Sequence, residues 1–383
     1  MRLVIAGGGT GGHLFPGLAL AEELFSRGHE NSVLFMGARG GLEERILPLH
    51  GYRMELLPSL KGGFFSVSGP AKAWRGCHGY LQARRAILGF NADAVVGLGG
   101  YASALPVLAA WGLEVPRMLI EQNVIPGRTN RGLAKFVDEI GVQFIESSRH
   151  FPNSRLVKHV GNPLRRKVRD AAKLATVRNT APMATSAEPV LLVVGGSQGA
   201  KAINDIAIKA WPKLRQAVPG IRLVLVSGRD DEERTLRAFA AAGVRGQVIG
   251  FTEAMEDLYA NATVVLARAG ATSMAEIAAF ALPSILVPYP HAADDHQVEN
   301  AKVFSSRGAG WTMIQKNLEV ERLAQRIADA ILQPDRRRKM SMAASALAQP
   351  QAASEVIDRL QMLAGKNTPS RQAGSSAAVA EVA

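Results

Sequence analysis

The chain has 383 residues, which suggests two domains that each bury a core, and its 47% apolar and 20% charged content fits a soluble α/β protein. Its single cysteine, Cys77, excludes an internal disulfide and fits a reducing cytoplasm. A formal charge of +12 predicts an acidic partner: nucleic acid, an anionic membrane or a phosphorylated substrate.

Arg2–Ala6 is predicted as a short apolar strand, followed by the glycine-rich turn Gly7–Gly12 and a helix that Pro16 is placed to open, running through Leu18, Leu20, Ala21 and Leu24. A strand, a glycine turn and a helix N-terminus form an anion site, because bare backbone approaches closely and the free N–H groups favour negative charge. His13 stands at the mouth of that turn. Gly7, Gly9 and Gly12 also fit G-x-G-x-x-G, but no acid follows the second strand, Ser32–Met36, where a dinucleotide ribose needs one; Gly37-Ala38-Arg39 stands there, which discounts NAD. The N-terminus has neither the basic region nor the cleavage site of a signal peptide. The longest apolar runs, Ala104–Leu113 and Ile277–Tyr289, are too short or too broken by proline to span a bilayer, so any membrane contact is expected to be peripheral.

Further strands are expected at Ala94–Leu98, Arg117–Glu121 and Glu139–Val142. Asp170–Glu188 is polar and weakly patterned and reads as a linker. The opening then repeats: strand Val190–Val194, glycine turn Gly195–Gly199, helix from Ala200, and strands at Arg222–Ser227, Gln247–Ile249, Thr263–Ala267 and Ser284–Val287. Alternating strands and helices imply parallel sheets covered on both faces. The expected organisation is an acceptor and membrane-docking domain over 1–165, a linker over 166–188, a nucleotide-sugar domain over 189–340 that ends on helix Glu319–Leu332, a helical segment over 341–366 that packs back on the first domain, and a disordered tail over 367–383. The fold class is α/β with two Rossmann-like, doubly wound domains facing a cleft where a ligand sits.

The glycine turn with His13 and Phe15-Pro16-Gly17 resembles the MurG family, glycosyltransferase family 28. So do Gly99-Gly100-Tyr101, Glu121-Gln122-Asn123, Gly161-Asn162-Pro163 with Arg165, Gly195-Gly196-Ser197-Gln198-Gly199 and Arg268-Ala269-Gly270 through Glu276, all in the family's order. The resemblance implies a GT-B fold and an inverting, metal-free transfer of N-acetylglucosamine from UDP-N-acetylglucosamine to lipid I, giving lipid II for peptidoglycan. It implies no cofactor. The sequence itself holds no Asp-x-Asp pair of the kind a metal-dependent glycosyltransferase uses.

Thr10, Gly11 and Gly12 are expected to contact substrate at the first turn. His13 fits two roles there, the base that takes the acceptor hydroxyl proton or a ligand of the acceptor pyrophosphate. Asn123, at a strand end, is placed to orient an acceptor or to form an Asx turn before Pro126. Arg165 pairs with a phosphate or belongs to a solvated run with Arg166 and Lys167. Ser197 and Gln198 are expected on the donor pyrophosphate with the surrounding backbone. Thr252, Ala271, Thr272 and Ser273 are expected on the donor too, the last three at a helix N-terminus. The family implies the uridine ribose on Glu276, whose other reading is a first-turn acid stabilising its helix. The family has Ala-Leu-Thr where this chain has Ala271-Thr272-Ser273. It also implies the donor sugar on Gln297, with His296 beside it as a contact or a solvated loop residue.

Phe64, Phe65 and Val67 precede a segment in which Trp74, Cys77, Leu81 and Leu88 share one helical stripe. Lys72, Arg75, Arg84 and Arg85 flank it, with Ile87 among the apolar positions. That pattern suits an anionic membrane surface, or an ordinary core helix. No nucleic-acid recognition motif appears. Another GT-B lipid glycosyltransferase, a UDP-sugar epimerase and a non-enzymatic nucleotide-sugar sensor are the competing functions; the sequence does not fix the oligomeric state.

Overall fold

The computed structural model describes residues 1–9, 11–58, 70–181, 188–196 and 199–366. Thr10, Phe64, Phe65, Val67, Ser197, Gln198 and the tail over 367–383 lie outside the described residues, as does the side chain of Lys72. The chain divides into two compact units. The first comprises Met1–Gln122, Pro126–Arg165 and the C-terminal part from Gln351; the second comprises Asn123–Ile125 and Arg166–Pro350.

The first unit is a parallel sheet of β1 (Arg2–Ala6), β2 (Ser32–Ala38), β3 (Arg53–Leu57), β4 (Ala94–Gly97), β5 (Arg117–Glu121), β6 (Glu139–Val142) and β7 (Val157–His159) in the order β3-β2-β1-β4-β5-β6-β7. Its helices are α1 (Gly11–Ser26), α2 (Glu43–Ile46), α3 (Pro70–Gly89), α4 (Ala104–Trp111) and α5 (Arg128–Leu133). β1 is apolar on both faces because both are covered. Leu3 and Ile5 pack with Leu14, Leu18 and Leu24 of α1, while Val4 and Ala6 pack with Ala83 and Ile87 of α3. The chain leaves β1 toward β2 and β3, then returns to lay β4 on the other side of β1. That reversal brings the turns after β1 and β4 together, the usual place for a ligand in a doubly wound sheet.

The second unit opens with α6 (Arg166–Thr180). Its sheet holds β8 (Val190–Val194), β9 (Arg222–Val226), β10 (Gly246–Ile249), β11 (Val264–Ala267), β12 (Ser284–Leu286) and β13 (Gly310–Thr312), ordered β10-β9-β8-β11-β12-β13. Around it run α7 (Lys201–Ala217), α8 (Glu232–Ala241), α9 (Met255–Asn261), α10 (Ala271–Ala279), α11 (His296–Ser306), α12 (Val320–Leu332) and α13 (Pro334–Ser345). The reversal recurs between β8 and β11. The last helix, α14 (Ala352–Lys366), belongs to the first unit: Ala353, Val356, Ile357 and Leu360 join the core of β1 and α1, and Arg27 reaches Asp358 at 2.6 Å and Ser354 Oγ at 2.9 Å. Burying Val356, Ile357 and Leu360 stabilises by about 1.5–3 kcal/mol each, which is what ties this distant segment to the first sheet.

Several expectations change. α1 starts at Gly11, so Pro16 sits inside it and removes one internal donor near its beginning. The segment expected as a linker is helical over Arg166–Thr180. Its buried stripe is Val168, Ala172 and Ala175, too small to give a strong apolar signal, and Thr176 Oγ1 and Asn179 Nδ2 donate to Ala279 O (2.6 Å) and Phe280 O (2.8 Å). The boundary expected at 340–341 falls inside α13, which Pro334 opens at its first turn. The strands that the pattern does not predict, β3, β7 and β13, all lie at sheet edges, where one strand neighbour and short length leave little apolar periodicity.

Candidate active site

In the first unit, Gly7 N donates to Met36 O at 3.0 Å, and a Cβ on Gly7 would stand 2.9 Å from Leu98 Cβ. The glycine turn therefore lies flat on the neighbouring strand ends. α1 then presents Gly11, Gly12 and His13 in its first turn, with Gly12 exposed and His13 half-buried. The imidazole rests on the turn after β4. A Cβ on Gly99 would lie 3.3 Å from His13 Nε2 and one on Gly100 would lie 3.4 Å from His13 Nδ1, at φ values of +91° and +72°. Only glycine supplies both that conformation and that approach without strain.

Further residues support this part of the first unit, of which Asn130 and Glu43 carry no signal in the sequence. Asn130 Nδ2, which a Cβ on Gly99 would approach to 3.3 Å, donates to Glu121 Oε2 at 2.8 Å and to Ile120 O at 3.1 Å. Glu121 also accepts from Gly127 N at 3.0 Å. Buried Gln122 donates to Leu98 O at 3.0 Å. Glu43 of α2 is fully buried beneath the turn, accepting from Gly9 N at 2.7 Å and Ala38 N at 3.0 Å. Arg165 places its guanidinium 5.0 Å from the Phe15 ring centroid, a cation–π contact that fixes it against α1.

In the second unit two of the described glycines after β8 are also closely packed. A Cβ on Gly195 would fall 2.3 Å from Ala200 N and one on Gly199 2.1 Å from Ser227 O, whereas one on Gly196 (φ +88°) meets nothing within 4 Å. Asn204 of α7 braces the turn, donating to Ser227 O at 3.0 Å and to Asp231 Oδ2 at 2.9 Å. Asp231 is also gripped by Arg234, at 2.5 Å and 2.7 Å. Those bonds, foremost the one from Arg234, hold its carboxyl down to about 2.

β11 runs beside β8 and delivers Arg268 and the start of α10. Arg268 is buried; Nη1 donates to Val287 O and Pro288 O, both at 3.1 Å, and Nη2 to Gln315 Oε1 at 2.7 Å. Burial lowers its pKa from the usual guanidinium value. Gly270 caps α10, whose first turn holds Ala271, Thr272 and Ser273, the latter two half-buried. Glu276 follows, half-buried. The Tyr259 phenol beside it is pushed well above its ordinary range, first by burial and then by the Glu276 charge.

The other expected site residues are each tied locally. Thr252 Oγ1 accepts from Ala254 N at 3.0 Å, opening the approach to α9. Gln297, second in α11 and half-buried, accepts at Oε1 from Tyr289 N at 2.9 Å. His296 Nδ1 lies 2.8 Å from Ala293 O. Asn123 Oδ1 accepts from Nδ2 of fully buried Asn300 at 3.0 Å, and Asn300 Oδ1 accepts from Val124 N at 2.9 Å. Among the described residues, no group of three or more His, Cys, Asp or Glu side chains is placed to hold a metal ion. No helix among them is long and apolar enough to cross a membrane. On α3, Trp74 (69% exposed), Cys77, Leu81 and Leu88 all face solvent, but Ile87 is core, and half-buried Arg84 donates to Gly112 O at 3.2 Å.

Comparison with known proteins matches two family domains along the chain. Residues 3–142 match the glycosyltransferase family 28 N-terminal domain and residues 190–358 the family 28 C-terminal domain. A relative from Geobacter sulfurreducens, named UDP-N-acetylglucosamine--N-acetylmuramyl-(pentapeptide) pyrophosphoryl-undecaprenol N-acetylglucosamine transferase, is 42% identical over 94% of this chain and 98% of its own. One of the same name from Anaeromyxobacter sp. (strain Fw109-5) is 41% identical over 94% and 92%. Among solved structures, Acinetobacter baumannii MurG superposes with a TM-score of 0.73 at 28% identity, covering 94% of this chain and 99% of that one. UDP-GlcNAc 2-epimerase from Neisseria meningitidis, bound to UDP-GlcNAc, reaches a TM-score of 0.63 at 14% identity over 94% and 100%, a likeness of fold alone. Two parallel Rossmann-like sheets of the GT-B type and matches along nearly the whole chain make this protein a member of glycosyltransferase family 28.

Proposed function

We propose that this chain transfers N-acetylglucosamine from UDP-N-acetylglucosamine to the muramyl sugar of undecaprenyl-pyrophosphoryl-MurNAc-pentapeptide, lipid I, and so makes lipid II for peptidoglycan. The observation that carries this reading is 42% identity, over 94% of the chain, to a relative named for that reaction. The epimerases share the fold at a third of that identity, which does not favour their chemistry.

The donor belongs to the second unit. Its pyrophosphate lies over the open space at Gly196, near Ser197 and Gln198, with the N–H groups of Ala271, Thr272 and Ser273 at the start of α10 adding a second set of donors. These fixed dipoles take the leaving UDP charge as it develops, and the reading needs no metal or cofactor. Glu276 accepts from the ribose hydroxyls, and buried Tyr259 beside it limits where its carboxylate can turn. Gln297 reads the sugar through its amide, and Thr252 borders the site. The acceptor belongs to the first unit. Thr10, Gly11 and Gly12 hold its anionic part, with Arg165 held ready by Phe15. His13, on its glycine seat, takes the proton of the attacking hydroxyl as that oxygen closes on the anomeric carbon in line with the departing UDP. Asn123, which belongs to the second unit and is steadied there by Asn300, orients the acceptor.

A lipid-linked acceptor requires the enzyme to work at the cytoplasmic face of the membrane as a peripheral protein. The exposed stripe of α3, Trp74, Leu81 and Leu88 with Arg75 and Arg85, supplies apolar insertion and charge for anionic headgroups. No nucleic acid is involved. The decisive experiment incubates the protein with labelled UDP-N-acetylglucosamine and a short-chain lipid I. Labelled lipid II supports the reading; hydrolysis or epimerisation of the donor without it rejects the reading.

A further inference from the structure

We propose that Glu43 is a positioning residue for the acceptor half of the reaction, an internal carboxyl group that fills the first glycine turn, braces it and withdraws the Gly9 N–H from substrate. This rests on the reading that the first unit handles the acceptor. Glu43 is fully buried on the short helix α2, directly after β2. Its two oxygens accept from Gly9 N (2.7 Å) and Ala38 N (3.0 Å), joining the turn after β1 to the end of β2. A Cβ on Gly8, Gly37 or Gly41 would come within 2.2, 2.6 or 2.3 Å of the Glu43 side chain, so three glycines leave room for one carboxyl group. In a dinucleotide-binding unit an acid in this region reaches outward to a ribose. Here it turns inward and satisfies the turn.

Two consequences follow. Gly7 N is taken by Met36 O and Gly9 N by Glu43, so neither of these two N–H groups is offered to an incoming anion. The equivalent turn of the second unit differs, with Gly196 facing open space, which suits the larger charge of a nucleoside diphosphate. Glutamine cannot replace Glu43. Its NH2 group must face either Gly9 N–H or Ala38 N–H, donor against donor, so one side of the brace opens and the turn that leads into α1 shifts.

The test uses the full chain with Glu43→Gln, and Glu44→Gln as the charge-matched control, because Glu44 is exposed and accepts only from Gly40 N among the described residues. Initial rates are measured against short-chain lipid I at saturating UDP-N-acetylglucosamine, and UDP binding by calorimetry. Misplacing reacting groups by ~1 Å costs about 100-fold, so kcat/KM for lipid I is expected to fall about 30- to 100-fold in Glu43→Gln. UDP affinity should stay within about twofold, and Glu44→Gln should match the parent. A second measurement needs no variant. In amide spectra of the parent, Gly9 and Ala38 should be protected from exchange and unmoved by lipid I, while Gly11, Gly12 and His13 shift. A Gly9 amide that responds to lipid I as strongly as His13 does overturns the proposal, as does a Glu43→Gln protein with parental kinetics or one that loses UDP affinity in step. If the parent itself makes no lipid II, it is the functional reading that fails, a result separate from these.

Discussion

Gly196 and Gly199 form a natural matched pair for testing how the donor turn is built. Both hold positive φ, +88° and +75°, so alanine at either position pays a comparable backbone penalty, about 1–2 kcal/mol. They differ in space. The new methyl at 196 meets nothing within 4 Å, while at 199 it would stand 2.1 Å from Ser227 O and 2.9 Å from Gly228 Cα. Those are backbone atoms, braced by Asn204, and cannot swing aside. Overpacking of this kind adds roughly 1–3 kcal/mol or more, so Gly199→Ala should cost about 2–5 kcal/mol against about 1–2 for Gly196→Ala. In a unit of this size a loss of 1 kcal/mol lowers the melting temperature by about 2–4 °C. Scanning calorimetry should therefore separate the two clearly. Binding should rank them in a different way. Gly196→Ala stays folded yet puts a methyl where the pyrophosphate lies on our reading, so its UDP affinity should fall about 10-fold or more, the equivalent of losing one or two charged hydrogen bonds. A folded Gly196→Ala protein that binds UDP within twofold of the parent would refute the placement of the pyrophosphate. Equal melting temperatures for the two variants would refute the packing argument.

Glu276→Ala should weaken UDP binding about 10- to 100-fold, since a charged hydrogen bond contributes about 1.5–3 kcal/mol; calorimetry with UDP and ADP checks it, and unchanged affinity removes Glu276 from the ribose. His13→Ala should lower kcat with lipid I by roughly 100-fold while leaving UDP affinity alone; retained turnover at saturation, with UDP affinity lost, makes His13 a donor ligand. Asp231 titrates at about 2 in the folded protein against an ordinary 3.8, so its contribution to stability is present above about pH 4 and lost as pH falls through about 2. With the Asp231 side chain 20% exposed and its Arg234 partner 38% exposed, solvent screening reduces that contribution to about 1 kcal/mol; denaturation of the parent and Asp231→Asn across this range should show the gap closing. Reversing the exposed Arg75 and Arg85 to Glu should release the protein from anionic vesicles at low salt and leave UDP binding intact, at about 1 kcal/mol per basic residue; co-sedimentation equal to the parent would move the docking surface elsewhere.

The central strands were legible because burial on both faces makes them continuous apolar runs: Arg2–Ala6, Arg117–Glu121, Glu139–Val142 and Val190–Val194 stand in the structure with the bounds their composition suggests. Edge strands such as β3, RMELL, mix charge with half-burial and carry no such signal. α6 was hidden for a different reason. Its buried face is Val168, Ala172 and Ala175, while Leu174 and Val177 point outward, so its amphipathic pattern runs against the usual one. The glycine turns announced themselves, but their supports did not. Glu43 acts through backbone N–H groups, which leave no trace in sequence; only the unexplained glycines at 8, 37 and 41 mark the space it takes. Asn300 reaches Asn123 across 177 residues, a distance no local pattern spans.

Both glycine turns also sit at the same topological place, the usual position for a ligand in a doubly wound sheet. β1 pairs with β4 and β8 with β11, and in each case the chain reverses direction across the sheet at that pair. Leu98 N donates to Ala6 O at 2.8 Å and Arg268 N to Val194 O at 3.1 Å, so each crossing strand ends level with its glycine turn. The residue just past that ending is thereby delivered to the turn: Gly99 and Gly100 beneath His13 in the first unit, Arg268 and the N-terminus of α10 beside Gly196 in the second. A glycine pair gives a seat for an imidazole, and a helix N-terminus gives donors for an anion. On the proposed function, the same frame serves proton transfer in one unit and a leaving diphosphate in the other, the difference lying in the few residues that follow β4 and β11.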